Sequence, residues 1–135
     1  MEKTDNEKLL KKLFKNKDEN IRTSNLDNLE LVYDENIQQI LLKNLKKDPS
    51  WKVKKIILDK LMISYPDSRL DLIKSTLKQE KHIMIRTEIL RYLLGEDFDI
   101  VLPIMLDIIR NDKEIVFRKI AIEMLRNLTE KDISG

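Results

Sequence analysis

One phrase of the sequence recurs four times at a constant interval of 32 residues. An apolar residue followed by a basic one opens a leucine-rich stretch at Ile21-Arg22, Val53-Lys54, Ile85-Arg86 and Phe117-Arg118. Four further apolar columns keep this interval without an insertion: Leu26, Leu58, Leu90 and Ile122; Leu29, Leu61, Leu93 and Leu125; Leu9, Leu41, Ile73 and Met105; Leu13, Leu45, Leu77 and Ile109. So regular a repeat predicts four copies of one structural unit.

Each unit is predicted to contain two helices, because apolar residues recur at three- and four-residue spacing on both sides of a polar break. Two glycines, three prolines and 5% aromatic residues argue against a fold of strands and tight turns. The first helix of each unit, helix A, is expected near 5–16, 36–47, 67–79 and 99–111, and the second, helix B, near 19–32, 50–64, 83–95 and 115–128.

Several residues fit the predicted helix ends. Thr4, Asp67 and Asp99 are expected to cap A helices, since their side-chain oxygens can accept hydrogen bonds from free amides of the first turn. Asp48 followed by Pro49 suits the cap and first turn of the second B helix. Pro103 is expected in the first turn of its helix, where the missing N–H costs little.

A two-helix unit cannot bury its apolar faces alone, so neighbouring units are expected to stack. This predicts an all-α fold, a right-handed superhelix (α-solenoid) of four helical hairpins. We expect one domain over 1–135, with repeats at about 1–32, 33–64, 65–96 and 97–128 and a tail at 129–135.

The two terminal units differ in polarity. Lys8, Lys12 and Asn25 stand in the first unit where later units are mostly apolar, which predicts an N-terminal capping repeat with a solvated outer face. The last unit keeps its apolar positions Ile120, Met124 and Leu128. Either a second copy or another partner covers that end, or the repeats continue beyond the sequence.

The composition excludes several classes of protein. There is no cysteine, which removes disulfides and thiolate chemistry, and no apolar run approaches the roughly 20 residues of a membrane span. The charged N-terminal residues do not fit a secretory signal, so we expect a cytoplasmic protein without membrane contact. Lys plus Arg number 26 against 24 Asp plus Glu, and a net charge of +2 is too small to attract a polyanion by itself.

At these residues the chain resembles the HEAT-like repeat family in its short form. The resemblance consists of an acidic turn residue before three of the four apolar-basic pairs (Asp48, Glu80 and Asp112) and of a proline within a helix A, in Val101–Met105. It covers nearly the whole chain and implies an α-solenoid of stacked helical hairpins. The chain departs from the family at helix B, where residues that are usually small are large: Ile57, Leu58, Ile89 and Leu90.

The basic column Arg22, Lys54, Arg86 and Arg118 has two interpretations. It could form a phosphate-binding stripe, or it could pair with the turn residues Asn16, Asp48, Glu80 and Asp112. The resemblance implies the second, because the equivalent Asp and Arg connect adjacent units in the family. We favour this structural role.

No catalytic, cofactor or metal site is expected. A single histidine without cysteine supplies no metal-ligand pattern, and two glycines cannot form a phosphate-binding loop. Some HEAT-like proteins are DNA glycosylases, for which Trp51 would be the candidate residue, but its place in the first turn of a helix B favours packing. His82 occupies a polar first-turn column, which favours a solvated side chain. We therefore expect no enzyme.

The leading hypothesis is a scaffold or adaptor that binds a protein or peptide on the concave surface of the B helices. The residues expected there have mixed charges and scattered apolar groups, which suit a protein better than a polyanion: Lys55, Ile56, Asp59, Thr87, Arg91, Lys119, Ile120 and Glu123. Self-association through the C-terminal repeat is a further expectation.

The alternative is nucleic-acid binding along the edge formed by the A-to-B turns. Residues 14–23, 46–55, 78–87 and 110–119 sum to a charge of +9, whereas the opposite edge, residues 30–37, 62–69, 94–101 and 126–133, sums to −6. The lysines that would contact phosphates are Lys46, Lys47, Lys52, Lys54, Lys78 and Lys81. Compensation of helix dipoles explains the same asymmetry, and aromatic residues that could stack on bases are scarce.

Overall fold

The computed structural model describes the backbone of residues 3–134 and the side chains of residues 5–130. Over these residues the fold is all-α, with no strand. Eight α-helices are present: α1 (Lys3–Phe14), α2 (Glu19–Asn28), α3 (Glu35–Lys47), α4 (Trp51–Ser64), α5 (Arg69–Gln79), α6 (Ile83–Leu93), α7 (Phe98–Asn111) and α8 (Ile115–Ser134). A 3-10 helix, Pro66–Ser68, precedes α5.

These helices correspond to the eight expected from the repeat, with two large differences in length. The helix α2 ends at Asn28, four residues before its expected end, because the next segment is extended and Asn6 Oδ1 accepts a hydrogen bond from Val32 N at 2.7 Å. The helix α8 continues to Ser134, through most of the segment expected as a tail. Both differences arise at the ends of helices, where tertiary contacts decide the boundary.

The chain divides into two compact units, of which the first ends at Leu72 and the second begins at Ile73. In the first unit, α1 packs on α2 and α3, and both α2 and α3 pack on α4. Two helical hairpins therefore lie against each other, A helix on A helix and B helix on B helix. Their core is formed by fully buried side chains: Leu10, Leu26, Ile37, Leu41 and Ile57.

In the second unit, α8 packs on both α7 and α6. Its core contains fully buried residues of all three helices: Ile85, Ile89, Val101, Met105, Phe117 and Ala121. Each large aliphatic or aromatic side chain removed from water in this way contributes about 1.5–3 kcal/mol to folding. The repeat columns therefore supply part of the core of each unit, through Leu26 and Leu41 in the first and Ile85, Met105 and Phe117 in the second.

The equivalent positions of the repeat are not all buried to the same extent. Leu9 and Ile21 in the first repeat are 40% and 42% exposed, whereas the residues one, two and three repeats later in both columns are 0% exposed. Lys8, Lys12 and Asn25 are also exposed. The outer face of the first repeat is thus mixed, with apolar residues beside the expected polar ones.

The helix caps differ from those expected. Asp67 lies in the 3-10 helix, and Asp99 is the second residue of α7, with Asp97 at the N-cap position. Ser50 caps α4, with its hydroxyl accepting from Val53 N at 3.4 Å, while Asp48 follows the end of α3. The side chain of Thr4 lies outside the described residues. The predictions that Asp48, Asp67 and Asp99 are N-caps are wrong, because none of them directly precedes the first residue of its helix. These helices begin at Trp51, Arg69 and Phe98.

Pro103 lies in the second turn of α7, since the helix begins at Phe98. The expectation that it occupies the first turn is wrong for this reason. A proline at this point has no N–H to donate to the carbonyl of Asp99, and its ring crowds that carbonyl. The buried neighbours Val101 and Met105 hold the helix together across this defect.

Replacing Pro103 with alanine should therefore stabilise the protein, because alanine restores the missing backbone hydrogen bond. We expect Pro103→Ala to raise the free energy of unfolding by about 1–3 kcal/mol, measured by urea unfolding with far-ultraviolet circular dichroism. The matched control is Pro66→Ala, at the first position of the 3-10 helix, where proline fits and no gain is expected. An unchanged or lower unfolding midpoint for Pro103→Ala would contradict the assignment of a defect.

Candidate functional site

The basic column of the repeat forms buried ion pairs. In the first unit, Arg22 Nε and Nη2 each donate to one carboxylate oxygen of Asp48 at 3.1 Å, and Arg22 Nη1 donates to the carbonyl of Asn16 at 2.8 Å. The two charged side chains are only 6% and 3% exposed. Asp48 also accepts from Ser50 N at 2.9 Å, so this residue joins α2 to the turn between α3 and α4.

The second unit contains the same pair two repeats later. Arg86 Nη1 and Nη2 donate to the oxygens of Asp112 at 3.0 and 2.6 Å, and Nη1 also donates to Glu114 at 3.2 Å. Arg86 Nη2 also donates to the carbonyl of Leu77 at 2.9 Å, and the guanidinium carbon lies 4.0 Å from the centre of the Phe117 ring. The structural interpretation of the basic column is therefore confirmed at Arg22 and Arg86.

The electrostatics of this second pair favour its charged form. The hydrogen bonds from Arg86 lower the pKa of Asp112 below its ordinary value, against the opposing effect of burial. Burial disfavours the charge of Arg86, but the bonds to Asp112 and Glu114 outweigh it and raise the pKa of that guanidinium. The pair is consequently ionised throughout the neutral range.

The remaining members of the column are arranged differently. Arg118 is half-buried, and its Nε donates a hydrogen bond to the carbonyl of Ile109 at 2.7 Å. The two residues are nine positions apart, as are Arg86 and Leu77, which form the equivalent hydrogen bond. Lys54 is half-buried on α4. No row of free cations therefore runs along this column, since Arg22, Arg86 and Arg118 are occupied by carboxylates or backbone carbonyls.

A cleft of about 760 Å³ opens in the second unit between α5 and α7. Its floor is apolar, with Leu77 from α5 and Ile104 and Ile108 from α7, and Pro103 borders it. In the first unit the equivalent helices α1 and α3 pack directly on each other. The other lining residues are charged or polar: Lys74, Lys78, Glu80, Lys81, Arg86, Asp107, Asn111, Asp112, Lys113 and Glu114.

The sequence repeat contains a signal for this cleft outside the basic column. Lys74 shares its column with Leu10, Leu42 and Leu106, of which Leu10 is fully buried. Lysine is almost never fully buried without a partner, and Lys74 is exposed on the wall of the cleft. The one lysine in a leucine column therefore coincides with the place where the close packing of A helices is interrupted.

The residues expected on the B-helix surface lie on α4, α6 and α8, and four of their five charged members form ion pairs along their own helices. The nitrogen-to-oxygen distances are 3.5 Å for Lys55–Asp59, 2.8 Å for Arg91–Glu88 and 3.1 Å for Arg126–Glu123. Lys119 is exposed, and Ile56, Thr87 and Ile120 are half-buried. None of these residues lines the cleft between α5 and α7.

The lysines expected to form a nucleic-acid edge are divided between the two units. Lys46, Lys47, Lys52 and Lys54 lie in the first unit, where Lys52 Nζ is 3.9 Å from Glu19 Oε1. Lys78 and Lys81 lie in the second unit and line the cleft. Two of the six lysines expected along this edge therefore line the cleft between α5 and α7.

The other singled-out residues have local roles. His82 is exposed and caps α6, because its Nδ1 accepts a hydrogen bond from Met84 N at 3.2 Å. Trp51 is half-buried at the first position of α4.

Within the described residues no group of three or more His, Cys, Asp or Glu side chains is arranged to hold a metal ion. None of the helices traced over residues 3–134 has the length and apolar character of a bilayer span.

Comparison with protein-family models, with curated proteins and with solved structures finds no match to this chain.

The buried pair in the second unit should dominate local stability. We expect Asp112→Asn to lower the free energy of unfolding by about 1–3 kcal/mol, because Arg86 remains buried with only Glu114 as a charged partner. Since the folded-state pKa of Asp112 is depressed, its contribution is present above about pH 4 and is lost as the pH falls through the lowered pKa. The acid limb of stability should be flatter in the variant than in the wild type, as measured by urea unfolding across pH.

The matched control is Glu123→Gln, which removes a carboxylate from an exposed ion pair with Arg126. Such surface pairs contribute little, so we expect a change within about 0.5 kcal/mol. Equal effects of the two substitutions would contradict the assignment of Asp112 as a structural partner.

Proposed function

We propose that this chain is a non-catalytic protein-binding module of the HEAT-like kind, in which four helical hairpins form a right-handed α-solenoid. The pairing of Arg22 with Asp48 and of Arg86 with Asp112 at the same 26-residue offset supports this architecture, because it ties successive hairpins together in each unit. The absence of a metal-ligand pattern in the sequence agrees with a binding role. A cytoplasmic location is part of this proposal.

The peptide-binding site that we propose is the cleft between α5 and α7. The observation that supports it is the cleft's combination of an apolar floor with polar walls, at about 760 Å³ within the range of 300–1,000 Å³ typical of ligand sites. A groove between two helices with such a floor suits the apolar face of a partner helix. The B-helix surface is the second proposed contact region.

Blocking the floor tests this proposal. A phage-displayed library of random peptides, long enough to form helices of about 12–15 residues, would be selected against the whole chain, and recovered peptides measured by fluorescence anisotropy. We expect Ile104→Gln to weaken their binding roughly tenfold or more, because the loss of one apolar contact costs about 1.5–3 kcal/mol.

The chain offers a matched control one unit away. Ile40 stands two repeats before Ile104, is half-buried in the same way, and lies on α3, outside the cleft. We expect Ile40→Gln to change the affinity for the peptides by no more than about twofold, because a substitution outside a binding site has little effect on it. Failure to recover any peptide, or equal losses in both variants, would overturn the proposed site. Steep salt-dependent binding of DNA without peptide binding would favour the nucleic-acid alternative.

We also propose that the chain associates with a second copy through α8. Ile122 is 38% exposed, whereas its equivalents Leu26, Leu58 and Leu90 are all 0% exposed. The same column is thus covered in three repeats and open in the fourth. An apolar helix surface of a second copy would cover this exposed position.

Light scattering across a concentration series tests this association. We expect Ile122→Glu to keep the protein monomeric at concentrations where the wild type forms dimers, because a buried carboxylate without a partner opposes the contact. Ile63→Glu is the control, since Ile63 is a more exposed apolar residue of α4, at 68%. A wild-type protein that stays monomeric at high concentration would refute the proposal.

A further inference from the structure

The cleft between α5 and α7 has cations that the fold leaves unused. Lys74 and Lys78 stand one helical turn apart on α5, and Lys81 follows the end of that helix. Lys113 lies at the other side, after the end of α7. All four are exposed, and the described residues provide no ion pair or side-chain hydrogen bond to any of their ammonium groups.

The carboxylates of the cleft, in contrast, already have partners. Asp112 and Glu114 accept hydrogen bonds from Arg86, and Asp107 accepts one from Asn111 Nδ2 at 2.8 Å. Glu80 accepts from the backbone amides of Lys81 and His82 at 3.2 and 3.1 Å. Arg86 therefore compensates the charge of Asp112 and Glu114, whereas the ammonium groups of Lys74, Lys78, Lys81 and Lys113 remain available to an acidic ligand.

From this difference we infer that the partner is an acidic amphipathic helix, whose apolar face lies on the floor of the cleft and whose acidic row faces Lys74 and Lys78. This inference rests on the proposed function and specifies the chemistry of the ligand. Acidic residues at positions i and i+4 of a helix are separated by about 6 Å along its axis, the same separation as Lys74 and Lys78 on α5. A partner helix aligned with α5 can therefore contact both lysines at once.

A helix with acidic residues on one side fits the cleft better than a uniform polyanion. The lysines of α5 form one wall, whereas Asp107 and Asn111 lie on the α7 wall and Asp112 and Glu114 lie beyond it. A nucleic-acid backbone has charge on every residue and would bring phosphates near these carboxylates, while the apolar floor offers it nothing. A one-sided acidic helix meets the lysine wall and keeps its neutral side toward α7.

Two exposed apolar residues follow the last residues of the cleft along the chain. Ile115 and Val116 are 65% and 60% exposed and directly follow Lys113 and Glu114, which line the cleft. Exposed apolar side chains beside a charged rim are typical of sites that bind other proteins. A partner longer than the floor could contact them beyond the turn after α7.

Charge reversal on the lysine wall tests the inference. In the library selection described above, the peptides recovered with the wild type should be enriched in Asp and Glu at four-residue spacing next to an apolar stripe. We expect Lys74→Glu with Lys78→Glu to weaken the best of these peptides about tenfold or more and to remove most of the salt dependence of binding. The neutral double variant Lys74→Gln with Lys78→Gln should give an intermediate loss.

The matched control reverses two lysines at the same spacing in the first unit. Lys43 and Lys47 are exposed, stand four residues apart near the end of α3, and lie outside the cleft. We expect Lys43→Glu with Lys47→Glu to bind the peptides within about twofold of the wild type, because neither lysine lines the cleft. Circular dichroism of every variant verifies that the helices are intact.

The outcomes separate this inference from the function on which it rests. Recovered peptides without acidic enrichment, or an unchanged affinity in the Lys74 and Lys78 variant, would overturn the inference, while a loss with Ile104→Gln would still support the cleft as the binding site. Insensitivity to Ile104→Gln would remove both. A labelled single-stranded DNA that binds the wild type, responds to the lysine reversal and ignores Ile104→Gln would overturn the inference in favour of nucleic acid.

Discussion

The structure depends on a buried bidentate pair between an arginine of helix B and an aspartate of the following turn. Burying two charges is costly, and their attraction offsets the desolvation only where the geometry is good and the remaining polar atoms have partners. Arg22 and Asp48 meet these conditions through the added bonds to the Asn16 carbonyl and the Ser50 amide. Such a pair accepts few alternative arrangements, so it fixes the order in which one hairpin follows the next as well as adding stability.

The apolar columns and the ion pairs have different roles in this architecture. The leucine and isoleucine columns bring adjacent helices into contact by burying apolar surface. Many alignments of one helix along the other would bury a similar apolar area. A pair such as Arg86 with Asp112 exists in one register only, because the planar guanidinium must face both carboxylate oxygens. The repeat therefore combines a non-directional attraction with a directional one, and the same offset of 26 residues returns in both units.

The sequence is sufficient to predict the helices and the role of Arg22 and Arg86, because periodicity and spacing report local structure and recurring contacts. It does not predict the caps at Asp67 and Asp99 or the place of Pro103, since helix ends depend on tertiary contacts such as the bond from Val32 to Asn6. The cleft is also missed, although Lys74 in a column of leucines indicates it. A pattern shows which residues are equivalent, but only coordinates show where two equivalent helices have separated.

Arg86 connects the fold to the site. Its guanidinium holds Asp112 and Glu114 in the turn after α7 and the carbonyl of Leu77 in α5, and it also lines the cleft between these helices. The ion pairs of Arg86 thus engage two of the four carboxylates that line the cleft, those of Asp112 and Glu114. The whole chain is almost neutral, at +2, yet this surface retains lysines without acidic partners, because Arg86 engages two of the carboxylates that could balance them. Local charge on this chain therefore depends on which side chains the structural pairs engage, and the net charge of the chain does not reveal it.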